Sequence, residues 1–159
     1  MSELAFRIAV LDGVQVNDLK SLYVSQCGPT LQFLEALVGH NSCRVWALSV
    51  LGEMKGVIWY RLVVGDAELI DLRIASDYRR RGFGRELLRS SMLELYHVGV
   101  NDVGLEVRES NGTARSLYLS LGFRETSRRR NYYRCSSGRE DAILMSVSLP
   151  KLIRSDGNY

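Results

Sequence analysis

The sequence contains few of the residues that mark unusual architectures. Its 159 residues include only 2 prolines and 3 cysteines, while 46% are hydrophobic and 25% are charged. This composition is typical of a globular chain and excludes a collagen-like repeat or a low-complexity linker. At this length one domain buries roughly 68–70% of the surface that its unfolded chain exposes, so the fold needs no cross-links. We expect a single domain over residues 1–159, with residues 150–159 as a flexible tail.

The cysteines and histidines have no ligand spacing. Cys27, Cys43 and Cys135 stand far apart without a CxxC pair, and His40 and His97 have no partner at a metal-binding interval. This spacing argues against both a disulfide framework and a zinc site. We therefore predict reduced thiols and no metal.

Long hydrophobic runs are also absent. The longest mostly apolar stretches cover residues 45–51 and 143–149, far fewer than the ~18 residues that a membrane span requires. The first residues, Met1-Ser2-Glu3, do not begin the basic region and apolar core of a signal peptide. The sequence therefore predicts a cytoplasmic protein without membrane contact.

No charge of one sign dominates the chain. The 21 basic and 18 acidic residues give a net charge of +3, which is too small to indicate a nucleic-acid-binding protein. The arginines do cluster, at residues 79–81 and again at residues 128–130. Because a run of arginines usually forms a solvated face, nucleic acid is not the expected partner.

Hydrophobic periodicity and turn signals predict the order of elements. The first half of the chain reads as strands over 4–10, 44–51, 57–64 and 68–74, with short helices over 17–26 and 31–38. Thr30 and Gly39 suit the start and end of the second helix. Gly52-Glu53 and Gly65-Asp66 are turn signals of an antiparallel meander.

From Gly84 the period changes from two to 3.6, which indicates a helix with one apolar face. That face carries Leu87, Leu88, Ser91, Met92 and Leu95. A strand over 103–108, a helix from Asn111 to Gly122, and strands over 123–133 and 142–149 complete the chain. The sequence predicts an α/β fold, a mixed and mostly antiparallel sheet flanked by about four helices.

The segment between Ile74 and Arg85 has the features of an anion site. A strand, a glycine-bearing turn and a helix N-terminus together present free backbone N–H groups and the positive end of a helix dipole. Two familiar phosphate motifs do not fit, because Leu87 stands where the dinucleotide fingerprint needs a third glycine, and the P-loop's Gly-Lys-Ser/Thr is missing. NAD and nucleoside triphosphates are therefore not the expected ligands.

This segment, Arg79-x-x-Gly82-x-Gly84, resembles the signature of the GNAT family of acetyl-CoA-dependent N-acetyltransferases. Asn111, Leu117-Tyr118 and Leu121-Gly122-Phe123 resemble the family's second signature. Within the family the chain is similar to the RimI-type branch, which acetylates the N-terminal alanine of small ribosomal subunit protein eighteen. The runs that carry this closer similarity are Leu105-Glu106-Val107-Arg108, Arg129-Arg130-Asn131-Tyr132-Tyr133 and Glu140-Asp141-Ala142-Ile143.

The resemblance implies a role for each matching position. The backbone of Leu72, Arg73 and Ile74 would bind the pantetheine arm of acetyl-CoA, and Asn111 would contact the cofactor from the neighbouring helix. Its pyrophosphate would be surrounded by Arg80, Arg81, Gly82, Phe83, Gly84 and Arg85. Glu106 would be the general base and Tyr118 the general acid. The implied acceptor is the ribosomal protein's N-terminus.

Elementary chemistry agrees with this assignment. An α-amine with a pKa near ~7.7–8.0 is largely protonated at neutral pH and must lose a proton before it attacks a thioester. A carboxylate is a weak base, so we expect Glu106 to be partly desolvated or to act through a water molecule. Packing alone would also explain Tyr118, which lies on the apolar stripe of its helix. Asn111 would cap its helix whether or not it also contacts the cofactor.

The resemblance is weakest where the acceptor is selected. The family's Phe-Pro-Trp segment is replaced by Gln26-Cys27-Gly28-Pro29-Thr30, and its usual Ile-Ala-Val by Leu72-Arg73-Ile74. A basic acceptor peptide would need acidic partners, for which the candidates are Glu35, Glu109, Glu140 and Asp141. Two alternatives stay open: an acetyltransferase for lysine or a small amine, and an inactive CoA-bound module that docks on ribosomal protein or RNA through residues 128–134.

Overall fold

A computed structural model describes residues 5–11, 16–24, 28–38, 40–136 and 138–156. Within them a single seven-stranded sheet has the order β1-β2-β3-β4-β5-β7-β6. The strands are β1 (Phe6–Val10), β2 (Cys43–Val50), β3 (Glu53–Val63), β4 (Asp66–Ile74), β5 (Asp102–Arg108), β6 (Arg124–Cys135) and β7 (Gly138–Ser148).

Helices lie between and after the strands. They are α1 (Val16–Leu19), α2 (Leu31–Val38), α3 (Phe83–His97), α4 (Gly112–Ser120) and α5 (Leu149–Asp156), with 3₁₀ turns at Lys20–Tyr23 and Ser76–Tyr78. The helix predicted over 17–26 is a turn of α-helix that continues as 3₁₀ to Tyr23; residues 25–27 lie outside the described residues. Gly39, the predicted stop of the second helix, also lies outside them.

The strand pairing confirms the predicted fold class. Every neighbouring pair is antiparallel except β4 and β5, which run parallel and are joined through α3. The two glycine turns join β2 to β3 and β3 to β4, as predicted. In the first of them Leu51 has φ 52° and Gly52 has φ 83°, which is the positive-φ pattern of a type I′ hairpin turn.

The sheet carries a hydrophobic cluster on each face. Helices α3, α4 and α5 cover one face, and the five apolar-face residues predicted for α3 are all buried there. The residues before and in α2 cover the other face, above Val45, Val57 and Trp59. Ser91 is the polar member of the α3 stripe, and its hydroxyl lies 2.9 Å from the Tyr60 hydroxyl and donates to the Leu88 carbonyl at 3.0 Å.

The parallel strands β4 and β5 separate part-way along their length. Their paired residues run from Asp66 opposite Asp102 to Leu69 opposite Leu105 and then stop. Beyond that point β4 stays paired only with β3, and the register shift between Trp59 and Tyr60 leaves Ile70 of β4 without an opposite residue. Since a bulge bends its strand, β4 turns away from β5, and a gap opens in the sheet.

The last helix was not predicted from the sequence. Residues 150–159 were expected to be a tail, whereas α5 begins at Leu149 and ends at Asp156; residues 157–159 lie outside the described residues. Leu149 is fully buried, and Leu152 packs against the cluster beside α3. Proline is tolerated in the first turn of a helix, so Pro150, the second residue of α5, is compatible with this helix.

The glycine turn between β2 and β3 allows a test of how a positive φ angle affects the stability of the protein. Gly52→Ala should destabilise the protein by about 1 kcal/mol, because its φ of 83° is strained for an alanine although no atom lies within 4 Å of the added methyl group. Gly112→Ala is the control, since its added methyl group also meets nothing and its φ is ordinary. Urea denaturation should show Gly112→Ala at or above wild-type stability; equal losses in both variants would contradict this account.

Candidate active site

The predicted anion-binding turn has an open, strained backbone. Arg80 and Gly82 have φ values of 57° and 86°, and Gly82 is the residue before α3 without a side-chain cap. Arg79 donates from Nε to the Ile74 carbonyl at 2.9 Å, which ties the turn to the end of β4. The first N–H groups of a helix have no acceptor within the helix, and no side chain caps them here, so an anion could accept their hydrogen bonds.

The two glycines of the turn lie in different surroundings. A methyl group on Gly82 would meet no atom within 4 Å, so its positive φ, with open space beside it, explains the residue. A methyl group on Gly84 would lie 3.6 Å from Ile74 Cγ1 and 3.7 Å from Leu117 Cδ2. Gly84 thus lies where α3 packs against β4 and α4.

The side chains of the predicted cofactor residues in this turn differ in whether they can reach a ligand. Arg80 and Arg81 are exposed beside the open N–H groups. The Phe83 ring is buried, 5.6 Å from the Phe6 ring, so only its backbone can face a ligand. The Arg85 guanidinium donates to Ser120 Oγ of α4 at 2.7 Å.

Asn111 caps α4 as predicted. Its side-chain oxygen accepts a hydrogen bond from the Ala114 N–H at 3.2 Å. This contact satisfies one of the free N–H groups at the start of the helix. Its contact with the cofactor stays a prediction.

The edge of β4 that faces the gap carries the other predicted cofactor positions. Leu72 and Ile74 pack their side chains against the α3 and α4 face. Past Leu69 the edge of β4 that faces β5 has no partner among the described strands. Its backbone groups there are available to an extended ligand, which could pair with them as a further strand does.

The Arg73 side chain points to the opposite face and joins a buried network. Its Nε donates to Asp71 Oδ2 at 2.9 Å, and Tyr23 donates to the same oxygen at 2.8 Å. Arg73 also donates to the Pro29 carbonyl at 3.2 Å and stacks on the Tyr23 ring at 4.1 Å. Burial raises the pKa of Asp71, while the charge of Arg73 and the Tyr23 hydroxyl act in the opposite direction.

This network fastens the segment before α2 to β4. That segment is where the sequence departs from the family's Phe-Pro-Trp; Gly28, Pro29 and Thr30 are described, whereas Gln26 and Cys27 lie outside the described residues. Thr30 accepts from the Phe33 N–H at 3.2 Å and so caps α2, as predicted. The side chain of Arg73 thus holds Tyr23 and Pro29 against β4.

Glu106 lies on β5 next to the gap, on the face opposite α3 and α4. Its strand neighbours Leu105 and Val107 are buried in the α3 and α4 cluster, and alternation places Glu106 on the other face. Tyr133 of β6 donates from its hydroxyl to Glu106 Oε1 at 2.9 Å, and Arg129 lies 3.0 Å from Oε2. The Glu106 side chain is 22% exposed, so it is not closed off from solvent.

Tyr118 lies on the other face of the sheet, in the cluster that contains Leu105 and Val107. It lies on α4, is 7% exposed, and packs against Phe123 with ring centroids 5.6 Å apart. Within the described part of the chain its hydroxyl makes no hydrogen bond. Burial raises the pKa of Tyr118, and the negative charge of Asp71 adds to this effect. The phenol therefore stays protonated at neutral pH.

Most of the acidic residues proposed for a basic acceptor are already paired. Glu140 Oε1 lies 2.6 Å from Arg108, and Glu109 and Asp141 lie 2.6 and 3.1 Å from Arg128. Hydrogen bonds from Ser110 lower the pKa of Glu140, and a hydrogen bond from the Asn131 N–H lowers the pKa of Asp141; the paired arginines act in the same direction. Glu35 lies on α2.

Sequence reasoning missed the side chains that surround Glu106 and Asp71. Arg129 and Tyr133 belong to a charged run that resembles the family. Neither the charge nor the resemblance indicates that both side chains reach the Glu106 carboxylate. Tyr23 and Asp71 are 48 residues apart in the sequence, so no local pattern joins them. Alternation along β5 and the polar run of β6 were the available signals.

Two general expectations can be compared with the described residues. No described helix has the length and apolar character that crossing a membrane would need. In the same residues no three histidine, cysteine or acidic side chains come together as metal ligands would.

The model of the acetyltransferase (GNAT) family matches residues 16–123, which is more than half of the chain. The chain belongs to the GNAT acetyltransferase family. The turn before α3 and the gap between β4 and β5 both lie inside the matched range. Acetyl-CoA, the donor that this family uses, suits a site with outward N–H groups, exposed arginines and an open strand edge.

Relatives of this GNAT chain include two bacterial proteins named [ribosomal protein bS18]-alanine N-acetyltransferase. The protein of Escherichia coli K12 is 44% identical over 98 residues, which are 62% of this chain and 66% of that protein. The protein of Haemophilus influenzae is 43% identical over 147 residues, 89% of this chain and the whole of that protein. The crystal structure of the Escherichia coli S18-alanine enzyme matches 91% of this chain and 94% of its own, with TM-score 0.84 and 32% identity.

The network around Asp71 makes a prediction about stability. Asp71→Asn should destabilise this GNAT domain by about 3–5 kcal/mol, because it removes one partner of a buried ion pair with Arg73; the two side chains are 11% and 10% exposed. Glu68→Gln is the matched control on the same strand, since Glu68 pairs with Arg61 at the surface. It should cost no more than about 1 kcal/mol. Guanidinium denaturation measures both, and similar small losses would show that the buried pair contributes little.

Proposed function

We propose that this chain transfers the acetyl group of acetyl-CoA to the N-terminal α-amine of a protein. The proposed acceptor is the N-terminal alanine of ribosomal protein bS18. The names of its relatives support the acceptor, and the alignment with the Haemophilus influenzae protein covers that protein completely. The observation that carries the proposal is the gap between β4 and β5. A carboxylate borders it on one face and a buried phenol approaches it from the other.

Glu106 is the proposed proton acceptor. An α-amine titrates near ~7.7–8.0, so about a tenth of it is neutral at pH 7, and the attacking nitrogen still has to lose a proton. Each carboxylate oxygen has two lone pairs. Tyr133 and Arg129 each contact one oxygen, so each oxygen can still accept a hydrogen bond from the amine or from a bridging water.

Tyr118 is the proposed proton donor. When the nitrogen–carbon bond forms, the carbon–sulfur bond breaks, and CoA leaves as a thiolate that takes up a proton. The raised pKa of Tyr118 keeps its hydroxyl protonated, and within the described residues no other group competes for that hydrogen. The reaction needs no covalent acyl-enzyme, so the cysteines have no role in it.

The donor substrate is held mainly by backbone groups in this proposal. The open edge of β4 at Leu72, Arg73 and Ile74 would bind the pantetheine amides, and the N–H groups before and in the first turn of α3 would bind the pyrophosphate. Arg80 and Arg81 would add positive charge beside them. Asn111 would contact the donor from α4.

The acceptor is tested with peptides and mass spectrometry. We expect acetyl transfer from acetyl-CoA to the free N-terminus of a peptide with the bS18 N-terminal sequence, because the site suits an amine that is partly neutral at pH 7. The same peptide with a blocked N-terminus and an added internal lysine should gain no acetyl group. Acetylation of the lysine would identify a lysine acetyltransferase, and transfer only to small amines would overturn the protein acceptor.

Two substitutions test the catalytic assignments. Glu106→Gln and Tyr118→Phe should each lower kcat by about 10²–10⁴-fold, which is the contribution typical of a general base or acid. The Kd for acetyl-CoA, measured by calorimetry, should stay close to wild type. Glu94→Gln and Tyr96→Phe on exposed positions of α3 make the same chemical changes away from the gap and should turn over normally. Wild-type kcat in either site variant would remove that residue from the mechanism.

A further inference from the structure

We infer that Arg129 and Tyr133 are positioning residues that hold the two oxygens of Glu106 in one orientation. This inference rests on the proposed function, because it concerns the residue assigned there as the proton acceptor. Tyr133 lies 2.9 Å from Oε1 and Arg129 lies 3.0 Å from Oε2, so each oxygen has its own partner. Both partners come from β6, which is two strands away from β5 in the sheet.

An irregularity in β6 explains how both side chains reach one carboxylate. Arg129 is opposite Ala142 and Tyr133 is opposite Glu140, so four steps along β6 correspond to two along β7. In a regular strand, residues four apart are separated by about 13 Å, and residues two apart by about 7 Å. The two extra residues therefore bring Arg129 and Tyr133 closer together than a regular strand allows.

Hydrogen bonds hold the centre of the irregular segment, residues 129–133, in place. Asn131 has φ 52°, a left-handed conformation that asparagine tolerates better than most residues. Its N–H donates to Asp141 Oδ1 at 2.8 Å, and its carbonyl accepts from Arg139 at 3.1 Å. Both partners lie on β7, so the neighbouring strand fixes the shape of the segment.

The Tyr133 ring is fixed as well as its hydroxyl. The Arg108 guanidinium stacks over the ring at 4.2 Å and is itself paired with Glu140 at 2.6 Å. The Tyr132 ring meets it edge to face at 5.0 Å. Burial and the neighbouring Glu106 carboxylate raise the pKa of Tyr133, so its hydroxyl remains a donor at neutral pH.

These contacts determine the direction in which Glu106 can accept a proton. A glutamate side chain without partners rotates freely, and ordering it during the reaction costs conformational entropy. One partner on each oxygen fixes the plane of the carboxylate before the amine arrives. Misplacement of a catalytic group by about 1 Å can cost about 100-fold in rate.

The variants Tyr133→Phe and Arg129→Gln test this inference. Each should lower kcat by about 10- to 100-fold without changing the Kd for acetyl-CoA, and Arg129→Lys should recover part of the loss by keeping the charge. Tyr96→Phe on α3 and Arg124→Gln on β6 make the same chemical changes at exposed positions, where no described contact reaches Glu106. They should leave kcat and KM for the peptide unchanged.

A double-mutant cycle with Glu106→Gln separates positioning from direct contact with the peptide. Groups that act only through Glu106 have nothing left to position in that background, so Tyr133→Phe and Arg129→Gln should then change kcat by less than about twofold. Equal losses in both backgrounds, or a raised peptide KM at unchanged kcat, would overturn the inference. Wild-type turnover of Glu106→Gln alone would instead overturn the proposed role of Glu106, and the inference with it.

Discussion

The separation of β4 from β5 is the constraint on which the rest of the site depends. The two parallel strands are paired for only four residues each, ending at Leu69 and Leu105, and each then follows its antiparallel neighbour. A sheet that stayed paired along both strands would have no free edge at β4. It would also give a ligand no passage between Tyr118 on one face and Glu106 on the other.

Much of the fold was predictable because its signals are local. Alternation identified β5, the 3.6-residue period identified α3, and the glycine turns identified the meander of β2, β3 and β4. The helix α5 was missed because its stability depends on the packing of Leu149 and Leu152 against the cluster beside α3, which a single sequence does not show. The hairpin of β6 and β7 is longer than predicted, since its outer half is charged on both faces and shows no alternation.

The candidate site was predictable only in part, and for a physical reason. The turn before α3 has a signature because its backbone conformation requires glycine at Gly82. Glu106 and Tyr118 were found through resemblance, since a glutamate on a strand and a tyrosine on an apolar stripe are ordinary. The partners Arg129, Tyr133, Tyr23 and Asp71 depend on register and on contacts between distant segments, which single-sequence patterns do not contain.

The strand β4 serves the two substrates of the proposed reaction with different atoms. Its backbone faces the donor, whereas its alternate side chains, Asp71 and Arg73, hold the segment beside the acceptor. A backbone surface is the same for nearly any residue that can remain in the strand. A change of the Asp71 and Arg73 side chains together, as a pair, would therefore alter the segment they hold, while the donor would meet the same row of amide and carbonyl groups. With this division, the acceptor specificity of the fold can change while the binding site for the acetyl donor stays the same.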